Sequence, residues 1–128
     1  MKRTYIAGGM TGYPAFNFAL FDLARDALLE LGWEVVSPAD LDRADGFDPV
    51  KNPGQEPKGY EYCMARDKKA MKTCTAIGFL PGWEVSLGAQ REKRTASELG
   101  LEMYLLLWGR DGHFYMKEME HAEEGDGA

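Results

Sequence analysis

The feature that most constrains the fold of this chain is the alternation of short apolar segments with longer amphipathic ones. Residues 4–7, 33–36, 76–80 and 102–108 are short apolar runs, and glycine or proline follows each within two residues. Helical spacing of apolar residues predicts helices over about 15–31, 60–72 and 88–99. Strands separated by helices pair in parallel with right-handed crossovers. We therefore predict an α/β fold: a three-layer α/β/α sandwich, Rossmann or flavodoxin-like, around a mainly parallel sheet of four to five strands.

Two further segments complete a single domain over residues 1–128. Residues 40–59 are polar and contain Pro49, Pro53 and Pro57, which exclude a long helix. A loop of this length in a small domain either covers a site or is disordered, and we favour a lid. After Trp108 the chain is polar. We expect a last short helix formed by Phe114, Tyr115, Met116 and Met119, and then a frayed tail over about 123–128.

Composition limits the classes of partner. The net charge of -6 disfavours nucleic-acid binding. A single nucleotide remains compatible, because backbone N–H groups alone bind phosphate. Cys63 and Cys74 form no CxxC pair, which is typical of reduced thiols in a cytoplasmic protein. The N-terminus lacks the pattern of a signal peptide, and the apolar run 103–108 is too short to span a membrane.

Ligands of such sheets bind at the carboxyl ends of the strands, where the first candidate segment is glycine-rich. Gly8, Gly9 and Met10 directly follow the first predicted strand. Consecutive glycines let a backbone approach a ligand closely. The segment matches neither GxGxxG nor a P-loop, and a plain turn explains it equally well.

The second candidate segment is 81–92, where a strand ends and a helix begins near Gly88. The free N–H groups of this helix start, with the Ser86 hydroxyl, suit an anion such as phosphate. Glu92 follows four residues later, about 6 Å along the axis, and the helix start favours its ionised form. The alternatives are a surface glutamate paired with Arg91 or Lys93, and a serine that only caps the helix.

Two more residues complete the candidate set. Asp67 lies in the predicted helix 60–72 and, taken singly beside Arg66 and Lys68, is most simply interpreted as a solvated charge. Tyr5 lies inside the first strand and, taken singly, is most simply interpreted as a core aromatic residue. Trp83 or Tyr60 could stack on a base, although either is more often simply packed.

In their order and spacing these segments resemble the nucleoside 2-deoxyribosyltransferase superfamily, above all its small 2′-deoxynucleoside 5′-monophosphate N-glycosidases and uncharacterised phage relatives. The likeness covers about residues 3–107. It rests on the first strand with its glycine loop, on Val36-Ser37-Pro38-Ala39-Asp40, on Arg66-Asp67, and on the S-x-G-x-x-x-E segment 86–92. The chain departs from the superfamily where relatives often have proline in the glycine loop and aspartate at position 75.

The resemblance implies a role for each candidate residue. Glu92 would attack the anomeric carbon, Asp67 would contact the sugar hydroxyl or help the base to leave, and Tyr5 would orient Glu92; these three form the expected catalytic set. Ser86 and the Gly88 amide would hold a 5′-phosphate beside the glycine loop. Relatives that act on free nucleosides often carry an acidic residue at position 86, so Ser86 favours a monophosphate.

The resulting hypothesis is an N-glycosidase that hydrolyses a nucleoside 5′-monophosphate, with no cofactor. A deoxyribosyltransferase that exchanges bases and a nucleotide-binding module without turnover are the alternatives. The resemblance also implies a homodimer or higher homo-oligomer. A metal-dependent hydrolase is disfavoured, because only His113 and His121 are available and they lie near the end of the chain.

Overall fold

Five strands and four α-helices make up residues 2–119, the part of the chain that the computed structural model describes. The predicted frayed tail, 123–128, lies outside the described residues. In chain order the elements are β1 (Arg3–Ala7), α1 (Phe18–Glu30), β2 (Glu34–Val36), α2 (Pro38–Ala44), α3 (Tyr60–Met71), β3 (Ala76–Phe79), α4 (Leu87–Leu99), β4 (Glu102–Trp108) and β5 (Phe114–Glu118).

The five strands form one sheet in the order β2-β1-β3-β4-β5. The first four strands are parallel and β5 is antiparallel to β4, which confirms the prediction of a mainly parallel sheet. Tyr5 of β1 pairs with Val36 on one side and with Ile77 on the other. The chain leaves β1 toward β2 and later returns to β3 on the opposite side of β1. Such a switch in strand order opens a crevice at the carboxyl ends of β1 and β3.

Helices cover both faces of the sheet, as the predicted three-layer architecture requires. Successive strand residues point to opposite faces, so Tyr5 and Ile6 enter different hydrophobic clusters. Phe21 and Leu28 of α1 pack with Ile6, and each contributes about 1.5–3 kcal/mol by burial. On the other face, α3 and α4 pack small and flexible side chains with Tyr5: Met71, Ala89 and Ala96.

The last described segment is a strand, so the prediction of a short helix there is wrong. Asp111 and Gly112 lie in the turn between β4 and β5, a typical hairpin pair. Phe114 and Met116 then pack inward with the Ile6 cluster, whereas Tyr115 between them is 48% exposed. This alternation has the period of a strand, whereas a helix would place Phe114 and Met116, two residues apart, on different faces.

The proline-rich segment 40–59 is also more structured than predicted. Its first residues belong to α2, which Pro38 can begin because the first helical position needs no N–H donor. The remainder, 45–59, has no helix or strand but is held by side chains. The Gln55 amide donates to the Gly46 carbonyl at 2.9 Å and accepts from the Asp48 N–H at 3.0 Å, and Phe47 is buried. The segment is a folded loop that anchors Phe47 in the Ile6 cluster.

Candidate functional site

A cleft of about 740 Å³ opens at the carboxyl ends of β1 and β3, where the strand order switches. The loop after β1, α2, α3 and the start of α4 form its walls. Seven of the eight site residues expected from the sequence line it: Gly8, Gly9, Met10, Asp67, Ser86, Gly88 and Glu92. The eighth, Tyr5, lies directly beneath, fully buried in β1.

Tyr5 joins the two candidate carboxyl groups. Its hydroxyl donates a 2.5 Å hydrogen bond to Glu92 Oε2, and the Asp67 carboxyl is close enough to raise the pKa of the same hydroxyl. Tyr5 is therefore a core aromatic residue and a site residue at once, with its ring in the sheet and its hydroxyl at the cleft floor. Strand β1 and helices α3 and α4 each supply one member of this cluster.

Burial controls the protonation of the cluster. It raises the pKa of Glu92 from 4.5 to about 8, with a further rise from the Asp67 charge, while the Tyr5 hydrogen bond and Arg66 act in the opposite direction. Burial likewise raises the pKa of Asp67, which the Arg66 guanidinium opposes. The pKa of Tyr5 lies well above its ordinary value, through burial and then the Glu92 charge. The helix start favours the ionised form of Glu92 that the sequence led us to expect, whereas burial opposes ionisation by raising the pKa.

Arg66 is a site residue that sequence reasoning did not identify. Its guanidinium lies 2.9 Å from Asp42 Oδ1, 3.0 Å from Asp45 Oδ2 and 2.9 Å from Asp67 Oδ1. Arg66 and Asp42 both line the cleft, and burial raises the pKa of Asp42. The Arg66-Asp67 pair was visible in the sequence, but nothing local signals that α2 brings two more carboxylates to it.

The start of α4 has the geometry expected of an anion site, and Ser86 has a structural role there. Ser86 is the N-cap residue, and its hydroxyl oxygen accepts a 3.1 Å hydrogen bond from the Ala89 N–H. Its hydroxyl proton is left to donate into the cleft, beside the N–H groups of the first turn. Glu92 lies four residues beyond Gly88, about 6 Å along the helix axis.

The glycine loop is fixed by close contacts rather than by a turn alone. A Cβ at Gly9 would lie 2.4 Å from Cε1 of Tyr13, and one at Gly8 would lie 2.9 Å from Leu80 Cβ. Tyr13 lines the cleft and covers this loop. The Asn17 side chain donates to the Gly9 carbonyl at 3.0 Å, which ties the loop to the start of α1.

That connection has an unusual backbone. Ala15, Phe16 and Asn17 are consecutive residues with φ of 47°, 55° and 62°, in the left-handed region that L-residues rarely adopt. The predicted first helix therefore begins at Phe18, three residues later than expected. Strain of this kind persists where the surroundings enforce it, often at functional sites. Here it directs Phe16 toward the cleft, against Phe47 at a ring separation of 5.1 Å.

Cationic and aromatic side chains form the rim of the cleft. Arg91 lies over the Tyr60 ring at 5.3 Å and hydrogen-bonds with its hydroxyl. Lys58 and Lys68 also line the cleft. Of the two residues considered for base stacking, Tyr60 lies at the cleft, whereas Trp83 packs on Phe79 with ring centroids 4.8 Å apart.

Two findings concern metals and membranes. Within residues 2–119, no group of three or more His, Cys, Asp or Glu side chains is arranged to hold a metal ion. The His113 ring lies 2.8 Å from Asp111, between Nδ1 and Oδ2, and His121 lies outside the described residues. None of the helices in this part of the chain has the length and apolarity that crossing a membrane requires.

The structure is similar to that of the 2-deoxyribosyltransferase from the psychrotolerant bacterium Bacillus psychrosaccharolyticus. The TM-score is 0.58 at 19% sequence identity, over 80% of this chain and 70% of that one. This likeness confirms the fold that the resemblance implied. No curated protein matches the sequence significantly. A family model does match residues 2–105, and the chain belongs to that family, described as Domain of unknown function (DUF4406).

Proposed function

We propose that this protein is an N-glycosidase that hydrolyses the base–sugar bond of a (deoxy)nucleoside 5′-monophosphate through a covalent intermediate on Glu92. The observation that carries the proposal is the position of the Glu92 carboxyl. It borders the cleft about 6 Å beyond Gly88 near the start of α4, and Tyr5 holds it by a 2.5 Å hydrogen bond. A fixed carboxylate beside an anion site suits attack on the anomeric carbon of a sugar phosphate.

The reaction has two steps. Ionised Glu92 attacks C1′ through an oxocarbenium-like transition state, and the electron pair of the base–sugar bond leaves with the base, which takes up a proton. Asp67, at the same face of the cleft, would contact the sugar hydroxyl or assist this departure. Water then attacks C1′, releases the sugar 5-phosphate and regenerates Glu92.

Glu92 must lose its proton before it can attack. With a pKa of about 8 in the free protein, only a minor fraction is ionised at neutral pH. The Tyr5 hydrogen bond and the Arg66 charge both favour the ionised form. We therefore expect base release to increase with pH up to about pH 8 and to level off above it.

The 5′-phosphate is the substrate feature that the cleft is best suited to select. Ser86 offers a neutral hydroxyl at the helix start, where a carboxylate would repel phosphate. Arg91 and Lys68 add positive charge along the same walls. A free nucleoside would offer these groups no anion to bind.

Two alternatives have support of their own. The shared fold with a 2-deoxyribosyltransferase favours base exchange, in which a second base replaces water in the last step. The raised pKa of Glu92 favours a nucleotide-binding module, because a protonated carboxyl does not attack. Base exchange requires an acceptor base in the assay, and a binding module releases no base at any pH.

The test is base release, followed by chromatography, from a panel of nucleoside 5′-monophosphates and the matching nucleosides at pH 6 to 9. We expect release from at least one monophosphate by the natural protein and none by Glu92→Gln. Equal release by the two proteins would remove Glu92 from the mechanism. Release only when a free base is added would identify a transferase.

We also propose a homodimer or higher homo-oligomer. Val85 and Leu87, beside the cleft at the start of α4, are 85% and 73% exposed, which is unusual for large apolar side chains. Light scattering of the purified protein tests the oligomeric state, and Leu87→Asp should then shift it toward the monomer.

A further inference from the structure

Arg66 occupies an unusual position, because its one guanidinium forms ion pairs with three carboxylates from two parts of the fold. Asp42 lies on α2, Asp45 directly follows α2, and Asp67 lies next to Arg66 on α3. The three N···O distances are 2.9, 3.0 and 2.9 Å. The Arg66 side chain is only 15% exposed, and the carboxylate side chains are between 11% and 21% exposed.

We propose that Arg66 is a positioning residue: it fixes the Asp67 carboxylate at the cleft floor and balances the negative charge of the Tyr5, Asp67 and Glu92 cluster. This inference rests on the proposed function for its catalytic consequence, but the charge balance itself requires no substrate.

The geometry of the guanidinium supports this role. Nη1 serves both Asp42 and Asp45, while Nε and Nη2 approach Asp67 Oδ1 at 3.0 and 2.9 Å. A planar fork with donors on separate edges can hold two sides at once, which the single ammonium of lysine cannot do. Two donors of Arg66 thereby hold the Asp67 carboxylate, while the Tyr5 hydroxyl holds Glu92.

Charge balance explains why such a residue is needed. Asp42, Asp67 and Glu92 all line one cleft, and each is disfavoured in its ionised form by burial. Arg66 lowers the pKa of all three and so opposes that cost. The groups that shift the pKa of Asp42, Asp67 or Glu92 come from β1, α2, the residue after α2, and α3: Tyr5, Asp42, Arg43, Asp45, Arg66 and Asp67. Cys63 of α3 lies close enough for Arg66, Asp42 and Asp67 to affect its own pKa.

Arg66 also connects the segment expected to act as a lid with the catalytic cluster. Asp42 and Asp45 belong to the segment 40–59, whose Phe47, Pro57 and Lys58 line the cleft. A displacement of α2 would withdraw two of the acceptors that orient the guanidinium. Arg66 would then no longer hold Asp67 in one position. The position of this segment is therefore linked to the orientation of the Asp67 carboxylate.

The experiment measures the side-chain carboxyl ¹³C signals of Asp and Glu by NMR between pH 4 and 10, without substrate. Glu92 is identified by its absence in Glu92→Gln. We expect Arg66→Gln to raise the titration midpoint of Asp67 by about 1 pH unit or more and to raise that of Glu92. Arg66→Lys keeps the positive charge, so it should raise the two midpoints less than Arg66→Gln does. The control is Arg94→Gln, which changes an exposed residue of α4 and should leave both midpoints unchanged.

If Arg66→Gln fails to fold, the double variant Asp42→Asn with Arg66→Gln removes one charge of each sign, and the Asp67 midpoint should still rise. Unchanged midpoints in these variants would overturn the inference. Where the natural protein releases base, kcat should fall about ten- to hundredfold with a smaller change in KM. Absence of base release by the natural protein would refute the proposed function alone, because the titration does not depend on turnover.

Discussion

Replacement of Glu92 by glutamine should stabilise the protein, and the gain should grow with pH. Glutamine keeps an oxygen that can accept the Tyr5 hydrogen bond, but it carries no charge into the buried site. The native protein keeps the Glu92 proton up to about pH 8, whereas an unfolded chain loses it near 4.5. The folded state thus binds the proton more tightly, so the stability of the natural protein falls as pH rises through this window.

The size of the effect follows from the two pKa values. Each pKa unit corresponds to about 1.4 kcal/mol. Between pH 5 and pH 8 the linkage relation gives a loss of about 3 to 4 kcal/mol for a group that titrates at 4.5 when unfolded and at about 8 when folded. Above pH 8 the loss is almost complete. Glu92→Gln has no carboxyl to titrate at this position and so does not lose this stability. The difference in free energy of unfolding between the two proteins should therefore increase by about 3 to 4 kcal/mol between pH 5 and pH 8.

Urea unfolding at pH 5, 6, 7, 8 and 9 measures this difference directly. The matched control is Glu98→Gln, an exposed glutamate of the same helix, which should leave the difference from the natural protein constant with pH. If the difference in free energy of unfolding between the natural protein and Glu92→Gln stays constant from pH 5 to 9, the raised pKa of Glu92 is refuted. Such a result would mean that Glu92 titrates normally and that the cleft floor is open to water.

Three further substitutions test separate parts of the site. Tyr5→Phe removes a hydrogen bond that lowers the pKa of Glu92, so the rising limb of the pH–rate profile should move to higher pH; an unmoved limb would contradict this. Ser86→Asp keeps an N-cap but places a carboxylate at the anion site. The melting temperature of this variant should change little. The ratio of its rate on a monophosphate to its rate on the matching nucleoside should fall at least about tenfold, which corresponds to about 1.4 kcal/mol. An unchanged ratio would place the phosphate elsewhere. Gly9→Ala puts a methyl group 2.4 Å from Cε1 of Tyr13, so KM should rise more than kcat falls, and unaltered kinetics would show that Tyr13 is free to move.

The fold was largely predictable because its strands are short apolar runs closed by glycine or proline. The errors have local physical causes. In β5 the alternation of Phe114 and Met116 around Tyr115 spans only three residues, which is too short to distinguish a strand from a helix in the sequence. The late start of α1 follows from the left-handed backbone at Ala15, Phe16 and Asn17. Only Asn17 is a residue type that tolerates this conformation, so the sequence signals it weakly.

The candidate site was predictable only where its residues share a segment or a familiar order. Ser86, Gly88 and Glu92 lie on one helix start, so their spacing already placed them together. Asp42 was not predicted, since its role depends on α2 folding back over α3 to meet Arg66. The protonation of Glu92 was also missed, because burial of the carboxyl outweighs the helix start and burial is a property of the assembled cleft.

The most direct test of the central claim is to trap the glycosyl-enzyme. The substrate for this test is a nucleoside 5′-monophosphate with fluorine at C2′. The fluorine destabilises the oxocarbenium-like transition states and slows hydrolysis of the glycosyl-enzyme. Mass spectrometry of the intact protein and of its peptides can then detect the glycosyl-enzyme. We expect a stoichiometric fluoro-sugar phosphate adduct on the peptide that contains Glu92, and no adduct on Glu92→Gln. Base release without an adduct on that peptide, or an adduct that persists in Glu92→Gln, would contradict it.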